Sequence, residues 1–331
     1  MNEHITLGEG SGGRLTAQLI AGIIEHFGAQ NGQQDGCEDC TFVEGSLAVT
    51  TDGFTVSPRF FPGGDMGHLS ICGSTNDLAV RGVRPQWLTM GMIIEEGFSR
   101  DELHRLVQSA AKTCASLGVT LAAGDTKVVP KGAAEGVFFT TTAIGHAITP
   151  QPLGMSRLRD GDALVLTTSP GRHGTVIAAL RYGLDLGGLE SDCTPLWPLL
   201  EPLLSLTGLR CMRDCTRGGL GTVLCEWAES TGLGMEIEEE RLSLHPSVTA
   251  ICDILGFDPL YLASEGCALI ACAPEDARTV LEKLHSHPLG REAALIGHVT
   301  ADHTGIVGMK TALGGTRIVD MPIGEILPRI C

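Results

Sequence analysis

A chain of 331 residues with 43% hydrophobic residues is long enough for about two domains, each with a core of its own. Its formal net charge of −16 leaves no basic face to neutralise a phosphate backbone, which excludes general nucleic-acid binding. No apolar run approaches a membrane span and the polar start Met1-Asn2-Glu3-His4 is no signal peptide, so the expected compartment is the cytoplasm.

Aromatic residues make up 4% of the chain while glycines number 44, a composition that packs through aliphatic side chains and tight turns, as α/β proteins do. The twelve cysteines sit mostly in apolar segments, where a thiol is ordinarily a small buried hydrophobe. Cys37 and Cys40 have CxxC spacing, and Cys211 and Cys215 lie four apart; without a second CxxC, both pairs read as free thiols rather than as a zinc site.

In chain order, the glycine-rich stretch 8–13 precedes an amphipathic helix with Leu15, Leu19, Ile20, Ile23, Ile24 and Phe27 at helical spacing. Such a loop either offers backbone N–H groups to an anion or is a simple leader, and it lacks the Lys-Ser/Thr ending of a P-loop. Ser46–Thr51 reads as a strand delivering Asp52. Phe60-Phe61-Pro62-Gly63-Gly64-Asp65 turns into an almost wholly apolar helix, about 66–81, interrupted by Asn76-Asp77. A carboxylate on a buried helix needs a partner, either a cation or a hydrogen-bond donor. A strand at Trp87–Ile94 follows, then a helix that Ser99 and Glu102 start and Gly118 ends. Val119–Ala123 reads as a buried strand delivering Gly124-Asp125-Thr126-Lys127, and Phe138–Ile144 as another. Pro150 and Pro152 mark a boundary between domains 1–150 and 151–320. In the second domain, Arg213-Asp214-Cys215-Thr216-Arg217-Gly218-Gly219 leads into a helix, and Ala263-Ser264-Glu265-Gly266 precedes a strand.

Asp52, Asp77 and Asp125 come from separate elements, two of them at strand ends where α/β sites collect functional groups. Carboxylates without His or Cys partners suit a hard cation such as Mg²⁺, which commonly arrives with a nucleotide triphosphate. Lys127, and Arg217 with Gly218 and Gly219 at a helix start, add features that attract phosphate. The predicted site therefore binds ATP without a Walker A loop. The tail 321–331 ends at Cys331; its two prolines exclude helix, and Leu327 and Ile330 are too apolar to float in water. Eleven extended residues reach at most about 35–40 Å, enough to cross a domain face.

These motifs, together with the ending Pro328-Arg329-Ile330-Cys331, resemble the HypE family of NiFe-hydrogenase maturation proteins, within the aminoimidazole-ribotide-synthetase-like (PurM-like) superfamily. The resemblance covers essentially the whole chain. It implies a two-domain PurM-like α/β fold, a homodimer whose N-terminal domains close a β-barrel, and a mobile tail. It implies that Cys331 receives a carbamoyl group from a HypF carbamoyltransferase. ATP and Mg²⁺ would then convert the S-carboxamide to a thiocyanate, whose cyanide passes to iron on a HypC–HypD scaffold. Carried over by position, Asp52, Asp77 and Asp125 would hold Mg²⁺ and nucleotide, with Gly63, Gly64, Thr126, Arg217, Gly218 and Gly219 also at the nucleotide. Lys127 and Glu265 would sit at the reacting group. Glu265 is favoured as the base and Lys127 is the alternative, because neighbouring aspartates and phosphate raise a lysine pKa. Three positions depart from the family pattern: Glu9 stands where histidine is usual, Arg172 replaces the Asp of Gly-Asp-His-Gly, and Cys215 stands where Ala or Pro is usual. The rivals are a superfamily kinase or selenophosphate synthetase with a diffusible substrate, and a cysteine-based metal or redox carrier.

Overall fold

The computed structural model describes residues 4–10, 13–26, 40–149, 153–322, 327 and 330–331. Helix α1 (Gly13–Glu25) comes first. The first sheet is built from β1 (Thr41–Glu44), β2 (Leu47–Phe54), β5 (Val83–Glu95), β6 (Thr120–Val129) and β7 (Val137–Ala147), with a two-stranded ribbon, β3 (Phe60–Phe61) and β4 (Gly64–Asp65), outside it. Strand order is β1-β2-β7-β5-β6; β5 and β6 pair in parallel and the other neighbours antiparallel.

Helices α2 (Met66–Val80) and α3 (Arg100–Leu117) accompany this sheet. Asp65 Oδ1 accepts from the His68 N–H to start α2, and Ser99 Oγ accepts from Glu102 N–H to start α3. The two helices differ in kind. α3 keeps a polar face and buries Leu106, Ala110 and Thr113, whereas α2 is buried on all sides, as a helix without a polar face must be. Leu69, Ile71 and Leu78 of α2 are fully buried, each contributing about 1.5–3 kcal/mol.

The second sheet has seven strands: β8 (Ala163–Leu166), β9 (Leu209–Asp214), β10 (Gly234–Glu238), β11 (Ala268–Cys272), β12 (Ala294–Thr300), β13 (Val307–Lys310) and β14 (Thr316–Val319), in the order β14-β13-β10-β12-β8-β11-β9. With it come α4 (Arg172–Tyr182), α5 (Trp197–Leu200), α6 (Gly219–Thr231), α7 (Pro246–Leu255) and α8 (Ala277–His285).

The two halves share their cores. Val176 and Ile177 of α4 and Val248 of α7 join the cluster around Phe54 and Leu69, while Ala79 and Val80 of α2 join Leu196, Trp197 and Val165. Asn76 explains part of the polar interruption in α2. Its amide donates to Thr194 O at 3.0 Å and Glu265 O at 3.2 Å, and its Oδ1 accepts from Leu196 N–H at 2.8 Å, so it joins the halves.

Val119–Ala123 departs from its predicted burial. β6 is the edge of the first sheet, and from Thr120 to Val128 every residue is exposed, Leu121 and Val128 included. Among the described residues nothing covers this edge. An exposed apolar edge is a template for pairing.

Candidate active site

β2 and α2 bring the first two carboxylates together. Thr50, Asp52 and Phe54 alternate onto the α2 side of β2, and Thr50 Oγ1 donates to Asp77 Oδ2 at 2.7 Å. From the other half come Arg213, Asp214, Thr216 and Arg217 at the end of β9, Glu226 of α6, and Glu265. These residues, with Gly13, Thr16 and Ile20 of α1, line one cleft with about 950 Å³ of empty space, solvent at its mouth included, and Cys331 lies in its wall.

Electrostatics concentrate on Glu265, which is 2% exposed. Burial first, then Asp214, Asp192 and Asp52, push its pKa well above the carboxylate range, against the opposing pull of Arg217. Its Oε1 is buried with no hydrogen-bond partner among the described residues. Burial works against the charge of Arg217, but Cys331, Asp52 and Asp77 outweigh it and raise the pKa, fixing a cation among the acids.

Among the described residues no three of these acids bring their oxygens within direct reach of one ion. Mg²⁺ is usually held by one or two carboxylates and completes its shell with phosphate and water. The all-oxygen donors and the orphaned Glu265 Oε1 fit a hard cation, which Asp52 and Asp77 could hold.

The tail is docked. Leu327 is 5% exposed, His173 Nε2 donates to Ile330 O at 2.9 Å, and the backbone oxygen of Cys331 accepts from the N–H and hydroxyl of Thr55 at 2.9 and 3.2 Å. Burial lowers the His173 pKa to about 4, so the ring is neutral at physiological pH. With Nε2 donating, Nδ1 accepts from the Ser191 hydroxyl at 2.8 Å. Burial and then Glu265 push the Cys331 thiol up to about 12, so the docked sulfur is no thiolate. Alkylation of Cys331 is expected to run about 10³-fold slower than that of a free thiol. His173→Ala, which removes one anchoring hydrogen bond, should speed it about tenfold. Quantitative peptide mapping after timed alkylation reads both, and an unchanged rate in the variant would remove His173 as an anchor.

Other predicted residues fall elsewhere. Asp125 aligns across the sheet with Gly91, Thr140 and Gly53, three strand spacings or about 14 Å from β2 and, by alternation, on the face opposite Asp52. It pairs with Lys127 at 2.8 Å, both side chains 68% exposed, and Lys127 holds its carboxyl below the usual range. Within one chain, then, Asp125, Thr126 and Lys127 do not join Asp52, Asp77 and Glu265. Gly63 and Gly64 are also outside the cleft lining. Gly63 has φ +90° and would place a Cβ 2.5 Å from Ser191 O, so it lets the β3–β4 turn touch the 191–193 loop. Gly218 and Gly219 form the start of α6 next to Arg217, which does line the cleft.

Half of the 8–13 stretch is answered. Gly13 lies against Pro322, whose oxygen accepts from Arg14 N–H at 3.4 Å, so the exit of the loop contacts the tail. Glu9 turns back to accept from the backbone and hydroxyl of Thr6. Residues 11–12 lie outside the described residues, as does Cys37 of the CxxC pair.

Asp192 was not foreseen. It is buried, and its carboxylate accepts from the backbone N–H groups of His173, Glu265 and Gly266 at 3.1, 3.3 and 3.1 Å, setting the tail anchor and the acid in one frame. Its only local signal is the turn-like Ser191-Asp192; its partners are 19 to 74 residues away.

Comparison with known proteins agrees with this geometry. Residues 37–147 match the family model of the AIR synthase related protein N-terminal domain, and residues 159–310 that of its C-terminal domain. The chain is 41% identical over 336 residues to the carbamoyl dehydratase HypE of Rhodobacter capsulatus, covering 100% of this chain and 99% of the relative. A crystal structure of hydrogenase maturation protein HypE in complex with ATP matches with TM-score 0.84 at 38% identity, over 99% of this chain and 100% of that one. A HypE–HypF complex matches with TM-score 0.87 at 36% identity, over 92% and 99%.

Proposed function

The chain belongs to the HypE family of AIR-synthase-related proteins, and from that membership we propose that it dehydrates an S-carboxamide on Cys331 to a thiocyanate at the expense of ATP. The observation that carries the proposal is the position of Cys331, inside the acidic cleft and under the influence of Glu265 and Arg217.

The chemistry follows from the groups around the sulfur. A carboxamide oxygen is a poor leaving group, and transfer of the ATP γ-phosphoryl to it, with release of ADP, converts it to a good one. Breaking the C–O bond then releases phosphate, and loss of both N–H protons, one as the oxygen is phosphorylated and one as the C–O bond breaks, leaves S–C≡N. Arg217 stabilises negative charge on the transferring group, and Mg²⁺ held by Asp52 and Asp77 would neutralise triphosphate charge. Glu265 is the proton acceptor, since a carboxylate whose pKa is raised is a stronger base than an exposed one. Thr55 and His173 hold the tail by its backbone, so that the reacting carbon is positioned before chemistry begins.

The docked thiol cannot be the form that acquires the carbamoyl group. Loading therefore takes place with the tail out, on a HypF carbamoyltransferase, and the tail returns for dehydration. The thiocyanate is then delivered to a HypC–HypD scaffold for the iron of NiFe-hydrogenase. The reaction belongs in the cytoplasm, where its thiols stay reduced; the eleven cysteines among the described residues are all free, and no described helix could cross a membrane.

The functional unit is a homodimer joined along β6. Trp87, Ile93, Leu121 and Val128 supply exposed apolar surface on the outer strands, and among the described residues the edge is unpaired. At such a joint Asp125, Thr126 and Lys127 would serve the neighbouring chain's nucleotide rather than their own. Sedimentation equilibrium should return twice the chain mass, falling to a single chain mass when Val128→Lys and Leu121→Lys are combined; a monomeric wild type would remove this assignment.

The test of the function is intact-protein mass spectrometry. Protein carbamoylated by the transferase should lose the equivalent of one water from the Cys331 peptide with Mg-ATP and not without it. Unmodified Cys331 alongside continuing ATP hydrolysis would defeat the proposal.

A further inference from the structure

Outside the cleft, one group of side chains has metal-ligand separations. His68 and Cys72 lie one turn apart on the same face of α2, and Cys193 comes from the segment between α4 and α5. One imidazole nitrogen and the two sulfurs all lie within 4.8 Å of one another, and among the described residues no other His, Cys, Asp or Glu group does this. Both cysteines are buried and His68 is half-buried. Donors about a single tetrahedral Zn²⁺, at roughly 2.3 Å for sulfur and 2.0–2.1 Å for nitrogen, stand about 3.5–3.8 Å apart, so separations within 4.8 Å close with at most about an ångström of movement.

The hydrogen bonds of His68 point the same way. Thr113 Oγ1 lies 3.0 Å from Ser109 O and 2.7 Å from His68 Nδ1; with its single proton on the Ser109 carbonyl it accepts from Nδ1, which then carries the proton. In the neutral ring Nε2 is then a lone pair. Yet Nε2 is 3.1 Å from the carbonyl oxygen of Cys193 and 3.4 Å from Cys72 Sγ. A lone pair facing a carbonyl oxygen is repulsive unless positive charge lies between them, from a proton or from a metal ion. The bond from Nδ1 to Thr113 is the kind of outer-shell contact that fixes a metal-ligating imidazole.

We propose that His68 Nε2, Cys72 Sγ and Cys193 Sγ form a binding site for a thiophilic d¹⁰ cation, Zn²⁺, at the junction of the two halves. Two thiolates and a neutral imidazole around Zn²⁺ sum to zero charge, which suits a buried site, and Cys193 O is the oxygen at hand for a fourth bond. The ion would tie α2 to the loop that carries the tail anchor. Cys193 N–H donates to Ser191 Oγ at 3.1 Å, and the Ser191 hydroxyl bonds His173, which holds Ile330. The proposal is independent of the reaction assigned to the cleft.

Full-length protein stripped with a chelator and dialysed would be titrated with Zn²⁺ against a chromophoric competitor, and in parallel with Co²⁺ to read thiolate-to-metal charge-transfer absorption. One ion per chain with thiolate bands is expected. Cys193→Ser and His68→Gln should each weaken binding by about 100-fold or more, and Cys37→Ser with Cys40→Ser should leave it unchanged. His68 is half-buried, so its variant reports even where the cysteine variant does not fold. Wild-type binding well below one equivalent, an ion retained in both His68→Gln and Cys193→Ser, or an ion lost with Cys37 and Cys40 would each overturn the site.

Discussion

Cys331→Ala is expected to abolish carbamoyl loading and thiocyanate formation altogether while leaving nucleotide binding within about twofold of wild type. The first half follows from chemistry: alanine has no nucleophile, and the carbamoyl group has nowhere to sit. The second follows from the site. Asp52, Asp77 and Arg217 line the cleft from β2, α2 and the loop after β9, each carried by an element other than the tail. The anchoring bonds of the tail run to backbone oxygens of Ile330 and Cys331, which the substitution retains. Nucleotide affinity by calorimetry and carbamoyl loading by intact mass check the two halves separately. A variant that turned over ATP at the wild-type rate on a small diffusible acceptor would instead identify a superfamily kinase or synthetase.

Much of this arrangement is legible in the chain, because it is carried by local signals. The caps at Asp65 and Ser99, the apolar run of α2 and the apolar tail each announce their fate within a few residues, and Leu327 is buried as its character demands. The polar pair in α2 is half-legible. That Asn76 and Asp77 need partners follows from burial, but that Asn76 finds them at Thr194, Leu196 and Glu265, and Asp77 at Thr50, is a matter of tertiary approach. The same limit hides Thr55, His173 and Asp192, whose partners lie far along the chain. Asp125 shows a different limit. Gly124-Asp125-Thr126-Lys127 has the composition of a site, and its strand is apolar enough to be central, yet neither property reveals that β6 is an edge. Gly63 and Gly64 mislead because a glycine that admits a neighbouring backbone looks the same in sequence as one that admits a phosphate.

Glu265→Gln should separate catalysis from stability more sharply than any other change in the cleft. Glutamine keeps the volume of the protonated acid but cannot accept a proton, so dehydration of the carbamoylated protein should fall by about 10²–10⁴-fold, with carbamoyl loading unchanged. Stability should move the opposite way. A carboxyl group with a folded pKa above its ordinary 4.5 binds its proton more tightly in the folded state than in the unfolded one. Its stabilising contribution is complete below about pH 4.5 and is lost as pH rises toward and through the raised value. Wild type thus carries, at neutral pH, a cost from burying this carboxylate among Asp214, Asp192 and Asp52 that the amide does not carry. The variant should melt higher than wild type at neutral pH, and the difference should shrink toward zero as pH is lowered to about 4.5. Scanning calorimetry across that range reads the sign directly. A variant less stable than wild type at pH 7, or equally active in single-turnover dehydration, would mean that Glu265 is an anchored structural anion, and the base would have to be sought in Lys127 of a neighbouring chain.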